Sequence, residues 1–157
     1  MSGERPPARA FAGAAAHRKS GTLLVFGGAH YGPGFSDLVA YDDLWAFQEG
    51  DAAWRRLVAR NPGPVGRSAP LLWIDRDRLY VFGGVTAQLE TLNDLWAYDL
   101  RRNRWKELSP NGAAGAPLSR HESPGSGRAI DRRLLLYGAE HFDPLAGLPS
   151  RTTRPRW

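Results

Sequence analysis

The chain has 157 residues, which matches about one domain of the usual ~100–200 residues. Its 18 Gly and 12 Pro disfavour a helix bundle and suit a turn-rich β protein, while the absence of Cys excludes disulfides, thiolate metal centres and a Cys nucleophile. The formal charge of +5 rests on Arg, because Lys19 and Lys106 are the only lysines; acidic residues are interspersed throughout, so the charge alone points to no nucleic-acid partner.

Residues 1–5 read as an N-terminal tail without the apolar core of a leader peptide. No apolar run approaches the ~18 residues of a membrane span, so no membrane contact and a cytoplasmic location are expected. A first unit then opens at Arg9. Leu24-Val25-Phe26 reads as a strand closed by Gly27-Gly28. An inserted loop, 29–42, separates it from Asp43-Leu44-Trp45-Ala46-Phe47, and Trp54-Arg55-Arg56-Leu57 follows after a polar turn.

The same features return in the same order. Arg67 opens a second unit. Residues 69–74 are apolar, and Asp75-Arg76-Asp77 is a tight polar turn. Leu79-Tyr80-Val81-Phe82 is a strand stopped by Gly83-Gly84. Asp94-Leu95-Trp96-Ala97-Tyr98 is an apolar run, residues 99–103 form a turn, and Trp105-Lys106-Glu107-Leu108 alternates as a half-buried strand should. Trp45 and Trp96 are 51 residues apart, as are Trp54 and Trp105. A third unit starts at Arg120 and reaches Leu135-Leu136-Tyr137-Gly138-Ala139. Phe26, Phe82 and Tyr137 stand 56 and 55 residues apart. The Arg- and Pro-rich stretch 144–157 is expected to be poorly ordered, with Pro149 opposing a central strand.

A repeat of about 50 residues with four short antiparallel strands is the pattern of a propeller blade. The Gly pair after an apolar strand, the Asp-Leu-Trp run, the polar turn and the Trp of the last strand resemble kelch-repeat β-propellers, over about residues 6–140. The fold class expected is therefore all-β: a partial β-propeller of four-stranded antiparallel blades of the kelch type, with almost no helix. Blade one spans 6–61, blade two 62–117, and a partial blade three 118–143. Gly27, Gly28, Gly83, Gly84 and Gly138 read as structural positions where backbones crowd, and Trp45, Trp54, Trp96 and Trp105 as apolar faces between sheets. The recurring Arg is expected to bond loop backbone.

Catalytic signals are sparse. There is no P-loop, no dinucleotide fingerprint, no His-Glu-x-x-His and no nucleophile elbow. No cofactor and no metal are expected. His30 and His141 lie four residues past Phe26 and Tyr137, and each precedes an aromatic, Tyr31 and Phe142. Thr86 holds that place in blade two. Loops on one face of a repeat protein commonly bind partners, so His30, Tyr31, Phe35, Thr86, His141 and Phe142, with the inserted loop Gly32–Tyr41, are the candidate recognition patch. The resemblance implies a protein-binding scaffold, a segment of a longer propeller, with an unidentified protein partner or self-association through open blade faces. The alternative is the remnant of a kelch-type enzyme, similar to galactose oxidase or to sugar-acid epimerases, with no catalytic residues identifiable. Specific nucleic-acid binding is not expected, because no aromatics alternate with the Arg residues.

Overall fold

The computed structural model describes residues 4–33, 37–51 and 53–119, together with the backbone of 128–130, 133–135, 140–142 and 149–151. Among these residues every regular element is a strand. The first sheet contains β1 (Gly13–His17), β2 (Thr22–Phe26), β5 (Leu44–Gln48) and β6 (Arg55–Leu57), hydrogen-bonded in that order. β3 (Ala29–Tyr31) and β4 (Leu38–Ala40) form a separate hairpin. The second sheet runs β7 (Leu71–Asp75), β8 (Arg78–Val85), β9 (Thr91–Asp99), β10 (Arg104–Ser109), again with sequential neighbours paired antiparallel. Two four-stranded meanders with matching strand order are two blades.

Strand alternation decides which residues meet between the blades. In the first sheet Leu24 lies opposite Ala46, and Phe26 opposite Leu44. Those four side chains point toward Leu72, Leu79, Val81, Tyr98 and Trp105 of the second sheet and form one buried core with them. The Trp105 ring sits 5.5 Å from Phe26 across the blade junction and 4.9 Å from Tyr98 within its own sheet. Each such large apolar side chain contributes about 1.5–3 kcal/mol on burial. β1 lies beside β7 and β11 (Arg128–Ile130) lies beside β7 in turn, so the first strands of successive units are neighbours. Trp54 departs from the expected place between sheets: it packs on Phe47, 5.2 Å away in its own blade.

Two sequence readings are corrected here. The Gly pair does not stop the second strand of blade two. β8 continues through Gly83-Gly84 to Val85, with a register shift between Phe82 and Gly84. Both glycines hold positive φ, 63° and 100°, so the strand bends at the pair rather than ending. The insertion at 29–42 is not an irregular loop but contains the β3–β4 hairpin, in which His30 pairs with Val39 and Tyr31 with Leu38. Ala29-His30-Tyr31 and the apolar Leu38-Val39-Ala40 flank a Gly- and Pro-containing connection, a hairpin pattern.

In the third unit, β11 pairs with β12 (Arg133–Leu135), and β13 (Glu140–Phe142) pairs with β14 (Pro149–Arg151). β14 therefore gives regular structure to part of the stretch expected to be disordered. Pro149 begins that strand in a two-stranded ladder, a position that tolerates a missing N–H. Gly138 lies outside the described residues.

Candidate functional site

Antiparallel order gives each blade two ends. The β1–β2, β5–β6, β7–β8 and β9–β10 turns lie at one, here the turn end. The segment between β2 and β5, the β8–β9 connection and the approach to β7 lie at the other, the loop end.

The loop end is built on two copies of one polar cluster. Arg67 is fully buried. Its Nη1 donates to Asp94 Oδ1 at 2.6 Å and to the Gly83 carbonyl at 3.0 Å, its Nη2 to Asp94 Oδ2 at 2.8 Å, and its Nε to the Val65 carbonyl at 3.0 Å. The Trp96 indole N–H donates to the same carboxylate at 2.8 Å. In blade one, Arg9 forks onto both oxygens of Asp43 and donates to the Gly27 carbonyl at 2.9 Å, while Trp45 donates to Asp43 Oδ2 at 2.7 Å. Burial pushes the Asp43 carboxyl up. The bonds from Arg9 and Trp45 outweigh it and hold the group below its ordinary value. The recurring Arg thus bonds loop backbone as expected, and it also has a carboxylate partner that the sequence reading had assigned only to the start of a strand. Paired charges are what make burial of Arg tolerable.

These clusters fix the loops to one another. The Gly28 N–H donates to the Arg67 carbonyl at 2.9 Å, and a Cβ on Gly27 would come within 2.5 Å of that oxygen. The Tyr41 N–H donates to the Gly28 carbonyl at 2.9 Å, and the Arg9 guanidinium lies 4.1 Å from the Tyr41 ring centre. The loop end is a set of clamped segments from both blades.

On that base the β3–β4 hairpin stands outward. His30 is exposed, and Val39 opposite it is 50% exposed. Tyr31 is half-buried, its ring edge-on to Phe11 at 6.3 Å, and Phe11 itself is 53% exposed. Thr86 is not displayed. It is buried, and its hydroxyl accepts the Glu90 N–H at 3.2 Å, which shapes the β8–β9 connection. Leu89 at the tip of that connection is 68% exposed and takes a φ of 63°. His141 and Phe142 belong to β13, opposite Ser150 and Pro149, and their side chains lie outside the described residues, as does Phe35.

Sequence reasoning missed Phe11, Val65 and Leu89, whereas Val39 lies in the inserted loop that it placed in the recognition patch. A usable signal existed for two of them. Phe11 stands two residues after Arg9 and Val65 two before Arg67, apolar residues flanking a clamped Arg outside any strand. Among the described residues no group of three His, Asp or Glu side chains is arranged to hold a metal ion.

Residues 1–143 match the family model of the KLHDC2/KLHL20/DRC7 Kelch-repeats domain. With two four-stranded sheets in sequence and that match, the chain belongs to the kelch-repeat β-propeller family. It is similar to Kelch domain-containing protein 2 of Bos taurus, 33% identical over 84 residues, covering 52% of this chain and 19% of the relative. It is also similar to Acyl-CoA-binding domain-containing protein 5 of Arabidopsis thaliana, 30% identical over 134 residues, covering 83% of this chain and 19% of the relative. Kelch domain-containing protein 3 of Homo sapiens is 27% identical over 130 residues, covering 80% of this chain and 33% of the relative. The chain spans a third or less of the length of these relatives. Kelch repeats of this kind are in general protein-interaction scaffolds.

Proposed function

We propose that the loop end is the surface through which this chain holds a protein partner. The carrying observation is the arrangement of Phe11, Val39, Val65 and Leu89. All are at least half-exposed apolar side chains, and all sit on loop-end backbone that the Arg9–Asp43 and Arg67–Asp94 pairs hold in place. Rigid display lowers the ordering cost of binding, and exposed apolar anchors rimmed by polar groups are what a partner pocket takes. His30 and Tyr31 add a polar and an aromatic contact on the same hairpin. Blades spanning 6–61 and 62–117 supply this surface. The role is binding, with no chemical step.

The test is affinity capture by the immobilised chain, read by quantitative mass spectrometry. Phe11→Ser and Leu89→Ser touch no core residue and should leave the melting temperature within a few degrees. The reading expects a stoichiometric protein partner that both variants lose. A partner held equally by wild type and both variants contradicts it.

A further inference from the structure

The opposite end of the blades carries a second feature, with different chemistry. Three clefts open at the turn end, about 260, 390 and 490 Å³ in volume, and Asp77 lines all of them. The 390 Å³ cleft lies within blade two, between the β7–β8 and β9–β10 turns, and the other two lie between blade two and the β1–β2 turn of blade one. Around them stand Arg18, Lys19, Arg76, Arg78, Arg101 and Arg102, with Arg55 in the smallest cleft. The carboxylates there are Asp75, Asp77 and Asp99. Two of these are already engaged: Asp77 accepts Arg101 Nη2 at 2.6 Å, and Asp99 accepts Arg102 Nη1 at 3.1 Å. His17 approaches Asp77 to 3.9 Å. Arg18, Lys19, Arg55, Arg76 and Arg78 form no ion pair among the described residues. Glu49 and Asp51 of the neighbouring β5–β6 turn line none of the three clefts.

Arg76 is a second, independent observation. It occupies the β7–β8 hairpin turn at a φ of 53°, a left-handed position that Gly, Asn or Asp fills at lower cost. Gly21, with a φ of 65°, is the last residue of the β1–β2 connection, whereas Arg76 is the first residue of its two-residue turn. The Arg76 side chain at this left-handed turn lines two of the clefts.

We propose that the turn end is a second binding surface, and that its ligand is an extended acidic segment of a protein, with carboxylates spaced along it. Guanidinium forks match carboxylates bidentately, which suits the Arg-rich composition of the site. The interleaved Asp75, Asp77 and Asp99 admit spaced anions and repel a continuous phosphate chain. Tyr80, the aromatic ring lining the 390 Å³ cleft, is stacked on Trp73 at 5.2 Å, and no run of aromatic rings alternates with the cations there as a base-stacking surface needs. The surface is independent of the loop end.

The experiment is fluorescence anisotropy of the full chain with a short fluorescein-labelled peptide of alternating Glu and Gly. The key variant is Arg76→Gly, which suits the local backbone and so should keep or raise the melting temperature. It should weaken peptide binding about fivefold, the scale of one exposed guanidinium–carboxylate pair. Arg78→Ser should act in the same direction, and His30→Ala at the loop end should change nothing. An affinity unchanged in both Arg variants overturns the proposal. So does single-stranded DNA of equal charge binding more tightly than the peptide, which would make the turn end a phosphate surface. Loss of loop-end capture leaves this result unaffected, so the two surfaces are tested separately.

Discussion

Arg67 and Asp94 meet as a doubly bonded ion pair inside blade two, with side-chain exposures of 0% and 8%. The pair joins the connection arriving from blade one to β9, at its Asp-Leu-Trp run. Its Arg also holds the first Gly of the bent pair through the Gly83 carbonyl. One buried charge pair therefore ties three segments of the repeat together, and Arg9 with Asp43 repeats the arrangement in blade one.

Asp94→Ala should leave the Arg67 guanidinium buried and uncompensated. Removing one partner of such a pair costs about 3–5 kcal/mol. Urea unfolding followed by tryptophan fluorescence measures it. A loss below about 1 kcal/mol would mean that water reaches Arg67 and that the pair does not anchor the repeat.

Trp105→Ala removes the ring that touches Phe26 across the junction. The expected loss is about 3–5 kcal/mol, because both the transferred area and the cavity count. The same variant should uncouple the blades. Hydrogen exchange in β2 and in β8 should then rise to different extents. A uniform small rise across both sheets would argue against the ring as the junction.

The bent Gly pair makes a comparative prediction. Gly84 has a φ of 100°, and a Cβ there would lie 2.7 Å from the Ser68 carbonyl oxygen. Gly112 has a φ of 75° with nothing within 4 Å. Gly84→Ala should cost more than about 2 kcal/mol, from conformation and clash together. Gly112→Ala should cost about 1 kcal/mol, from conformation alone. Equal losses would show that the close approach at Ser68 is relieved by a small shift.

Acid should act through Asp43. Its folded carboxyl sits below the ordinary 3.8, so the unfolded chain binds the proton more readily. The stabilisation is complete above the unfolded value and disappears as pH falls through the folded one. Melting temperatures taken downward from pH 5 should fall more steeply for wild type than for Asp43→Asn. At the alkaline end burial raises the Tyr98 hydroxyl above 10.0, so its contribution holds below that value and is lost as pH climbs through the raised one. Tyr98→Phe should flatten that limb. Identical slopes in variant and wild type would remove these groups from the account.

The repeat and the four-stranded order of the two described sheets were legible because aromatic and Gly positions recur at fixed spacing. Trp105 and Phe26 could be placed in the core from alternation alone. The Arg–Asp pairs were half legible. Arg9 and Arg67 recur visibly, but they lie 34 and 27 residues from their partners, and an Asp before a strand has a sufficient local reason. The loop-end site was less so. Thr86 matches His30 in sequence position, yet β8 runs past its Gly pair while β2 stops before its own, so the two side chains are not equivalent. Exposure at Phe11 and Leu89 depends on how loops from two blades settle, and no local pattern encodes that. The turn-end cations looked like a solvated face because they meet Asp77 only once the β7–β8 and β9–β10 turns stand side by side and the β1–β2 turn packs against them.

The most direct test of the loop end as the contact surface is site-specific photo-crosslinking to the captured partner. A crosslinkable residue at position 11, 39 or 89 reports on the loop end, and one at position 108, exposed on the outer strand β10, reports on the flank. The account predicts that 11, 39 and 89 all link to one and the same protein while 108 does not. Equal crosslinking from 108, or three different proteins from the three loop-end positions, would contradict it.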